Sequence, residues 1–294
     1  MKITKKHHRN RSIEPYLFIA PTVVIFVFVL LVPLYNLFKY SFGDSNIIEG
    51  FKGWNSFSNY KYLKSTRFFN SILVTLRYVF FSVLGIVISG LFISLALNKP
   101  LKGRGLYRSL MIIPWIVPHA FAAVMWSWVL NPQFGFLNQL LVAFGLIKDN
   151  LTYLSLSSAL ITVTIVRIWQ GTPFMIMSLL SALQTIPDDI VEASQIDGVN
   201  LLQQFHYITF PYIKPVLVST TIIISAWTMQ IFDTVYIMTG GGPVKSTQLI
   251  AIEIYQRAFQ NNDLGTASAI SVVVLVFIIF LSLLNLRGQK GEFN

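Results

Sequence analysis

Long apolar runs separated by short polar connectors dominate this chain. Six of them cover residues 16–38, 70–97, 107–130, 156–182, 212–232 and 266–286. A membrane helix needs about 20 mostly apolar residues to cross roughly 30 Å of hydrocarbon, and each run meets that need. The stretch YVFFSVLGIVISGLFISLAL, 78–97, has no charged residue. Backbone groups cannot stay unpaired in lipid, so runs this long and uniform predict helices rather than barrel strands. The predicted fold class is all-α integral membrane, with six transmembrane helices. Pro114, Pro118 and Pro173 are expected to interrupt the third and fourth spans. The first run follows a basic start, as a signal peptide would. It is too long for a typical h-region and no A-x-A-like site follows it, so a retained first helix is expected.

Composition agrees with the pattern. The chain has 294 residues, of which 54% are hydrophobic and 12% charged. Soluble domains carry about 25% charged residues. The formal net charge is +10. The basic residues cluster beside apolar runs, which marks them as orientation signals and lipid contacts rather than a nucleic-acid surface. Lys2, Lys5, Lys6, Arg9 and Arg11 lie in the N-terminal tail, and Lys99, Lys102, Arg104 and Arg108 beside the second connector. The positive-inside rule puts both on the cytoplasmic side. Six spans then return the C-terminus, with Arg287 and Lys290, to the cytoplasm. Arg77 is expected to snorkel to the outer surface.

The chain has no cysteine. Disulfides, thiol catalysis and Cys metal sites are therefore excluded. His7, His8, His119 and His206 show no zinc-ligand spacing. No metal site and no catalytic residue is expected.

The connector before the fifth span is unusual. Asp188, Asp189, Glu192 and Asp197 lie in it, and no Lys or Arg occurs between Arg167 and Lys214. Pro187 suits a first helical position, and the two following acids favour the positive end of a helix dipole. Ile190, Ala193 and Ile196 recur at helical spacing, and Gly198 suits a stop. Asn200 with Gln203 reads as a capping box for a second short helix, and Pro211 marks entry to the fifth span. The prediction is helix, Gly turn, helix along the cytoplasmic face. An interfacial hairpin is the plainer reading, but an anionic inner leaflet repels acids, and a basic protein cleft fits them better.

These residues resemble the coupling signature of binding-protein-dependent ABC importer permeases, roughly E-A-A-x3-G-x9-I-x-L-P. Glu192, Ala193, Ser194, Gly198, Ile208, Phe210 and Pro211 stand at those spacings. Ser194 replaces a small residue and Phe210 a bulky apolar one. WQGTPFMIMSLLSALQTIP (169–187), FDTVYIMTGGGPVKSTQ (232–248), AFQNNDLGTASAIS (258–271) and WSWVLNPQFGFLNQLL (126–141) resemble the carbohydrate branch related to maltose and glycerol-3-phosphate systems. The resemblance covers roughly 16–287. It implies a basic cytoplasmic tail at 1–15, a six-helix permease domain at 16–287 with its coupling loop near 183–211, and a cytoplasmic tail at 288–294. It also implies that Glu192, Ala193, Ser194, Asp197 and Gly198 engage an ATP-binding cassette ATPase dimer. Further implied partners are a second, distinct permease, an extracytoplasmic solute-binding protein and membrane lipid. ATP and magnesium would sit on the ATPase, with no cofactor on this chain. The implied function is uptake of a sugar, oligosaccharide or related polyol phosphate across a prokaryotic inner or plasma membrane by alternating access.

The energy source supports this. TGGGPVKST, 239–247, has the look of a phosphate loop, but Val244 precedes Lys245 where the P-loop needs Gly. The Gly run is better read as a tight turn with positive φ.

Polar groups inside spans suggest a substrate path. A centred Arg costs about 2.5–3.5 kcal/mol on insertion scales. Arg167, Trp169 and Gln170 in the fourth span, Trp227, Gln230 and Asp233 at the fifth, and Trp126 in the third are the candidates. Aromatic faces with amides and carboxylates suit a sugar. Each is also open to a structural role, and Trp128 suits an interfacial belt. A stand-alone secondary transporter is the alternative. It calls for membrane-embedded acids and two related halves, neither of which is evident. An intramembrane enzyme needs a catalytic cluster, and His119 stands alone.

Overall fold

The computed structural model describes residues 14–99 and 102–291. The basic tail predicted at 1–15 lies almost wholly outside them, as do the last three residues. In chain order the elements begin with α1 (Glu14–Phe26), a π turn, α2 (Val32–Ser41), β1 (Gly43–Asn46) and β2 (Gly50–Trp54). A short 3-10 turn leads to α3 (Thr66–Asn98), α4 (Arg104–Ile116), α5 (His119–Val129) and α6 (Phe136–Ala143). Then follow α7 (Ala159–Leu183), α8 (Asp188–Ile196), α9 (Leu201–Gln204), a π turn and α10 (Phe210–Met229). The chain ends with α11 (Asp233–Thr239), α12 (Ile250–Tyr255), a π turn and α13 (Leu264–Gly291).

Two compact units emerge. Among the described residues, the first holds 14–65 with Ile254–Phe277; the second holds those of 66–253 with 278–291. In the first, Tyr16–Ser41 is one continuous apolar helix. The π turn Val27–Leu31 falls just before Pro33, whose ring cannot donate an α-helical bond. The helix ends against a hairpin, β1 pairing antiparallel with β2 around a bulge at Asp44 and Ser45. The Asn59 amide caps the helix end, donating to the carbonyls of Ser41 at 3.0 Å and Gly43 at 2.8 Å. At the start of α13, Asp263 accepts the backbone N–H of Thr266 at 3.0 Å, an N-cap.

The second unit is built around α7, buried on nearly every face. It packs against α3, α4 and α10. In lipid, apolar burial drives helices together only weakly, so close packing and side-chain hydrogen bonds matter more. A Cβ on Gly90 of α3 would lie 2.3 Å from Met175, and one on Gly171 of α7 would lie 2.5 Å from Ile86. Ser89 and Thr172 share a hydroxyl hydrogen bond of 2.8 Å across the same seam.

Among the described residues, four helices are long and apolar enough to cross a membrane: Tyr16–Ser41, Thr66–Asn98, Ala159–Leu183 and Leu201–Met229. The predicted third span is not one straight helix. α4 and α5 meet at a 97° bend. Pro118 forces the preceding Val117 into an extended conformation and ends α4 there. Counting that pair as one span gives five. Leu264–Phe280 of α13 is a shorter apolar stretch. Pro173 does not break the fourth span as expected. α7 runs through it, because packed neighbours hold the helix where a single bond is lost.

Candidate functional site

The bend between α4 and α5 opens a cleft of about 90 Å³ against α7 and α10. Trp115 and His119 reach it from either side of the bend, Arg167 and Phe174 from α7, and Trp227 from α10. Arg167 and Phe174 are seven residues apart, so both project from one face of α7. Phe174 stacks with Trp115 at 5.9 Å and tilts against Trp227 at 4.9 Å. Arg167 is 4% exposed. Its Nε and Nη2 both donate to Thr228 Oγ1 at 3.1 Å.

The structure therefore brings Arg167 and Trp227 together, and leaves the other candidates elsewhere. Trp126 and Trp169 pair edge to face at 5.5 Å. Gln170 is buried and its Oε1 accepts from Thr234 at 3.5 Å. Gln230 folds back onto the Ala226 carbonyl at 3.1 Å. Asp233 sits in the first turn of α11 and accepts the Thr234 N–H at 2.9 Å. Trp115 and Phe174 were not among the sequence candidates. The i, i+7 spacing of Phe174 from Arg167 was the signal available; Trp115 had none, because the bend is tertiary.

The acidic connector has clear local causes. Pro187 is the N-cap of α8 rather than its first helical residue as predicted, with Asp188 and Asp189 in the first turn. At the other end Gly198 takes φ +73°. Its N–H donates to the Gln195 carbonyl at 3.1 Å and the Val199 N–H donates to Ser194 at 3.1 Å, a complete Schellman stop. Asn200 and Gln203 form the reciprocal capping box at 2.9 and 3.0 Å. Ser194 is buried, its hydroxyl donating to the Val191 carbonyl at 2.7 Å, whereas Glu192, Ala193 and Asp197 are exposed. Ile196, Leu201 and Leu202 stand 86%, 78% and 81% exposed beside those acids.

The second short helix is not separate, as predicted. α9 continues through the π turn Phe205–Thr209 into α10, one helix over Leu201–Met229. The Phe210 N–H bonds to the Phe205 carbonyl, so the ladder shifts register just before Pro211, where a donor is missing.

The Gly-rich stretch is a turn packed on itself. Gly240 and Gly241 take φ +61° and +91°. Thr247 donates to the Gly242 carbonyl at 2.8 Å, and a Cβ on Gly241 would lie 2.3 Å from Gln248 Oε1. Behind it, Glu253 is fully buried and holds Arg67 at 3.1 Å and Gln248 at 3.0 Å. Among the described residues, no three His, Asp or Glu side chains gather as metal ligands.

Comparison with known proteins adds to this geometry. A family model described as binding-protein-dependent transport system inner membrane component matches residues 82–287. The chain is 33% identical over 286 residues to a trehalose/maltose transport system permease protein of Thermococcus litoralis, covering 97% of this chain and 96% of that one. It is 30% identical over 286 residues to an sn-glycerol-3-phosphate transport system permease protein of Agrobacterium fabrum, covering 94% of each. In a crystal structure of a bacterial alginate ABC transporter with pentasaccharide-bound periplasmic protein, one chain superposes with a TM-score of 0.79. That chain is 22% identical, with 95% of this chain and 96% of that one covered, and shows the fold alone.

Proposed function

Since the chain belongs to the family of binding-protein-dependent transport system inner membrane components, we propose that it is the permease of an ATP-driven importer for a sugar, oligosaccharide or polyol phosphate. It is a multi-pass membrane permease, and we read it as crossing six times. In that reading the bent α4–α5 pair is the third span, α13 the last, and both termini face the cytoplasm.

The observation that carries the proposal is the elbow of α8 and α9. Four exposed acids stand there with the strongly exposed Ile196, Leu201 and Leu202 and no basic residue. A solvated loop has no use for exposed Ile196, Leu201 and Leu202, and an anionic leaflet repels the acids. Both features suit a protein cleft that is basic at its rim and apolar inside. The occupant is an ATPase subunit, of which a dimer serves this chain and a second permease. Glu192, Asp197 and the small Ala193 and Ser194 engage it, and Gly198 sets the angle. ATP binding closes the ATPase pair, the elbows move with it, and the cleft beside α7 turns outward to meet a loaded solute-binding protein. Arg167 and Trp227 line that path. Trp126, Trp169, Gln170, Gln230 and Asp233 lie outside that cleft's lining and are kept as path residues beyond it.

Reconstitution tests the scheme. The chain alone in vesicles accumulates no solute, and uptake appears only with the second permease, the ATPase, ATP and loaded binding protein. Accumulation by the lone chain overturns it.

A further inference from the structure

We infer that the cleft beside Arg167 receives an anionic substituent of the transported solute, so that the substrate is an acidic saccharide bearing a carboxylate, sulfonate or phosphate. This rests on the permease reading above and names the charge of its substrate.

Arginine carries five N–H donors in a planar fork. Arg167 commits its Nε and Nη2 to one neutral oxygen, the hydroxyl of Thr228. Among the described residues no carboxylate reaches it as an ion pair. Asp233 and Tyr78 are the charged or titratable groups near enough to act on it electrostatically. Asp233 already accepts the Thr234 N–H on its own helix, and Tyr78 is a buried phenol whose hydroxyl has no partner. Two other arginines show the usual arrangement, Arg67 on Glu253 and Arg257 on Asp263. A buried guanidinium with no carboxylate in ion-pair contact is costly, and an arriving anion offsets that cost.

The shape agrees. Pockets that enclose a whole small molecule run to roughly 300–1,000 Å³. This cleft, at about 90 Å³, has room for one functional group. Trp115, Phe174 and Trp227 line it with aromatic rings that suit the C–H surface of a sugar ring. His119 lines the same cleft as a second donor. A planar fork in a cleft lined by aromatic rings fits a carboxylate, sulfonate or phosphate two oxygens at a time.

The test uses the complete importer with its solute-binding protein in liposomes. ATP-dependent uptake is measured for three pairs: a uronic-acid disaccharide and its carboxyl-reduced form, a sugar sulfonate and its hydroxyl counterpart, and a sugar phosphate and its free sugar. The wild type takes up the anionic member of at least one pair about tenfold faster or more, the scale of a charge-assisted bidentate contact. Which pair responds tells which anion is served. Arg167→Gln removes that preference, while Arg167→Lys keeps part of it. Equal uptake within every pair, or uptake of neutral members only, overturns the inference even where Arg167→Gln fails to assemble. An equal fall for both members in Arg167→Gln also overturns it, because that is the result of an acid on the second permease pairing with Arg167. Absence of ATP-dependent uptake of any saccharide overturns the permease reading instead.

Discussion

Arg67, in the first turn of α3, and Glu253, in α12, form a 3.1 Å ion pair although 186 positions separate them. Glu253 is fully buried, and Gln248 donates to the same Oε2 at 3.0 Å. The pair ties the stretch after the Gly-rich turn to the head of α3, where Thr75 Oγ1 also accepts the Ile250 N–H at 2.8 Å.

Arg67→Ala removes the positive charge beside a buried carboxylate, which keeps Gln248. Breaking one side of a buried pair costs about 3–5 kcal/mol, and the partial exposure of Arg67 puts this case near about 3 kcal/mol. Glu253→Gln costs less, because Arg67 can turn to solvent. Thermal unfolding of the detergent-solubilised protein checks the order of the two variants. Equal melting temperatures for both and the wild type refute the role given to this pair.

The elbow offers a separation of stability from coupling. Gly198 sits at φ +73° with open space around it, so Gly198→Ala meets no clash and only the left-handed strain of about 1–2 kcal/mol. Asn200→Ala removes the capping box at about 1 kcal/mol. Glu192→Lys combined with Gly198→Asp is expected to insert normally, keep ATP hydrolysis and lose uptake. Assays of ATPase rate and uptake on the same proteoliposomes decide it; unchanged uptake contradicts the coupling role.

Membrane sidedness is directly readable, because the chain has no cysteine to mask. Asp189→Cys is expected to react with a membrane-impermeant maleimide only in inverted vesicles. Trp54→Cys, at an exposed position of β2, is expected to react only from the outside. Labelling of both from one side contradicts the six-span orientation.

The α3–α7 seam predicts a packing failure. A side chain at Gly90 meets Met175 at 2.3 Å from its first atom. Gly90→Leu is expected to lower stability by about 1–3 kcal/mol or more through overpacking. The readout is the melting temperature and the yield of monodisperse protein, with Gly105→Leu, where nothing lies within 4 Å, as the control.

The sequence by itself determined what depends on neighbours along the chain. Apolar runs of membrane length, the Schellman glycine at 198 and the Asn200–Gln203 capping box are all local, and all were legible. So was the acidity of the connector, since charge needs no fold to be counted. Only tertiary structure decided that Pro118 breaks a span while Pro173 does not. The two prolines carry the same chemistry, but Pro173 is held by the packed interior of the second unit. The continuity of Leu201–Met229 through a π turn was likewise hidden, because the register shift is a compromise between Pro211 and the helix on either side. The cleft was hidden most. Arg167 and Trp227 were visible as costly or amphipathic residues within spans, but their meeting with Trp115 depends on the 97° bend of α4 on α5. Which faces of helices touch is set by side chains far apart in sequence, and no periodicity along one helix reports its partner.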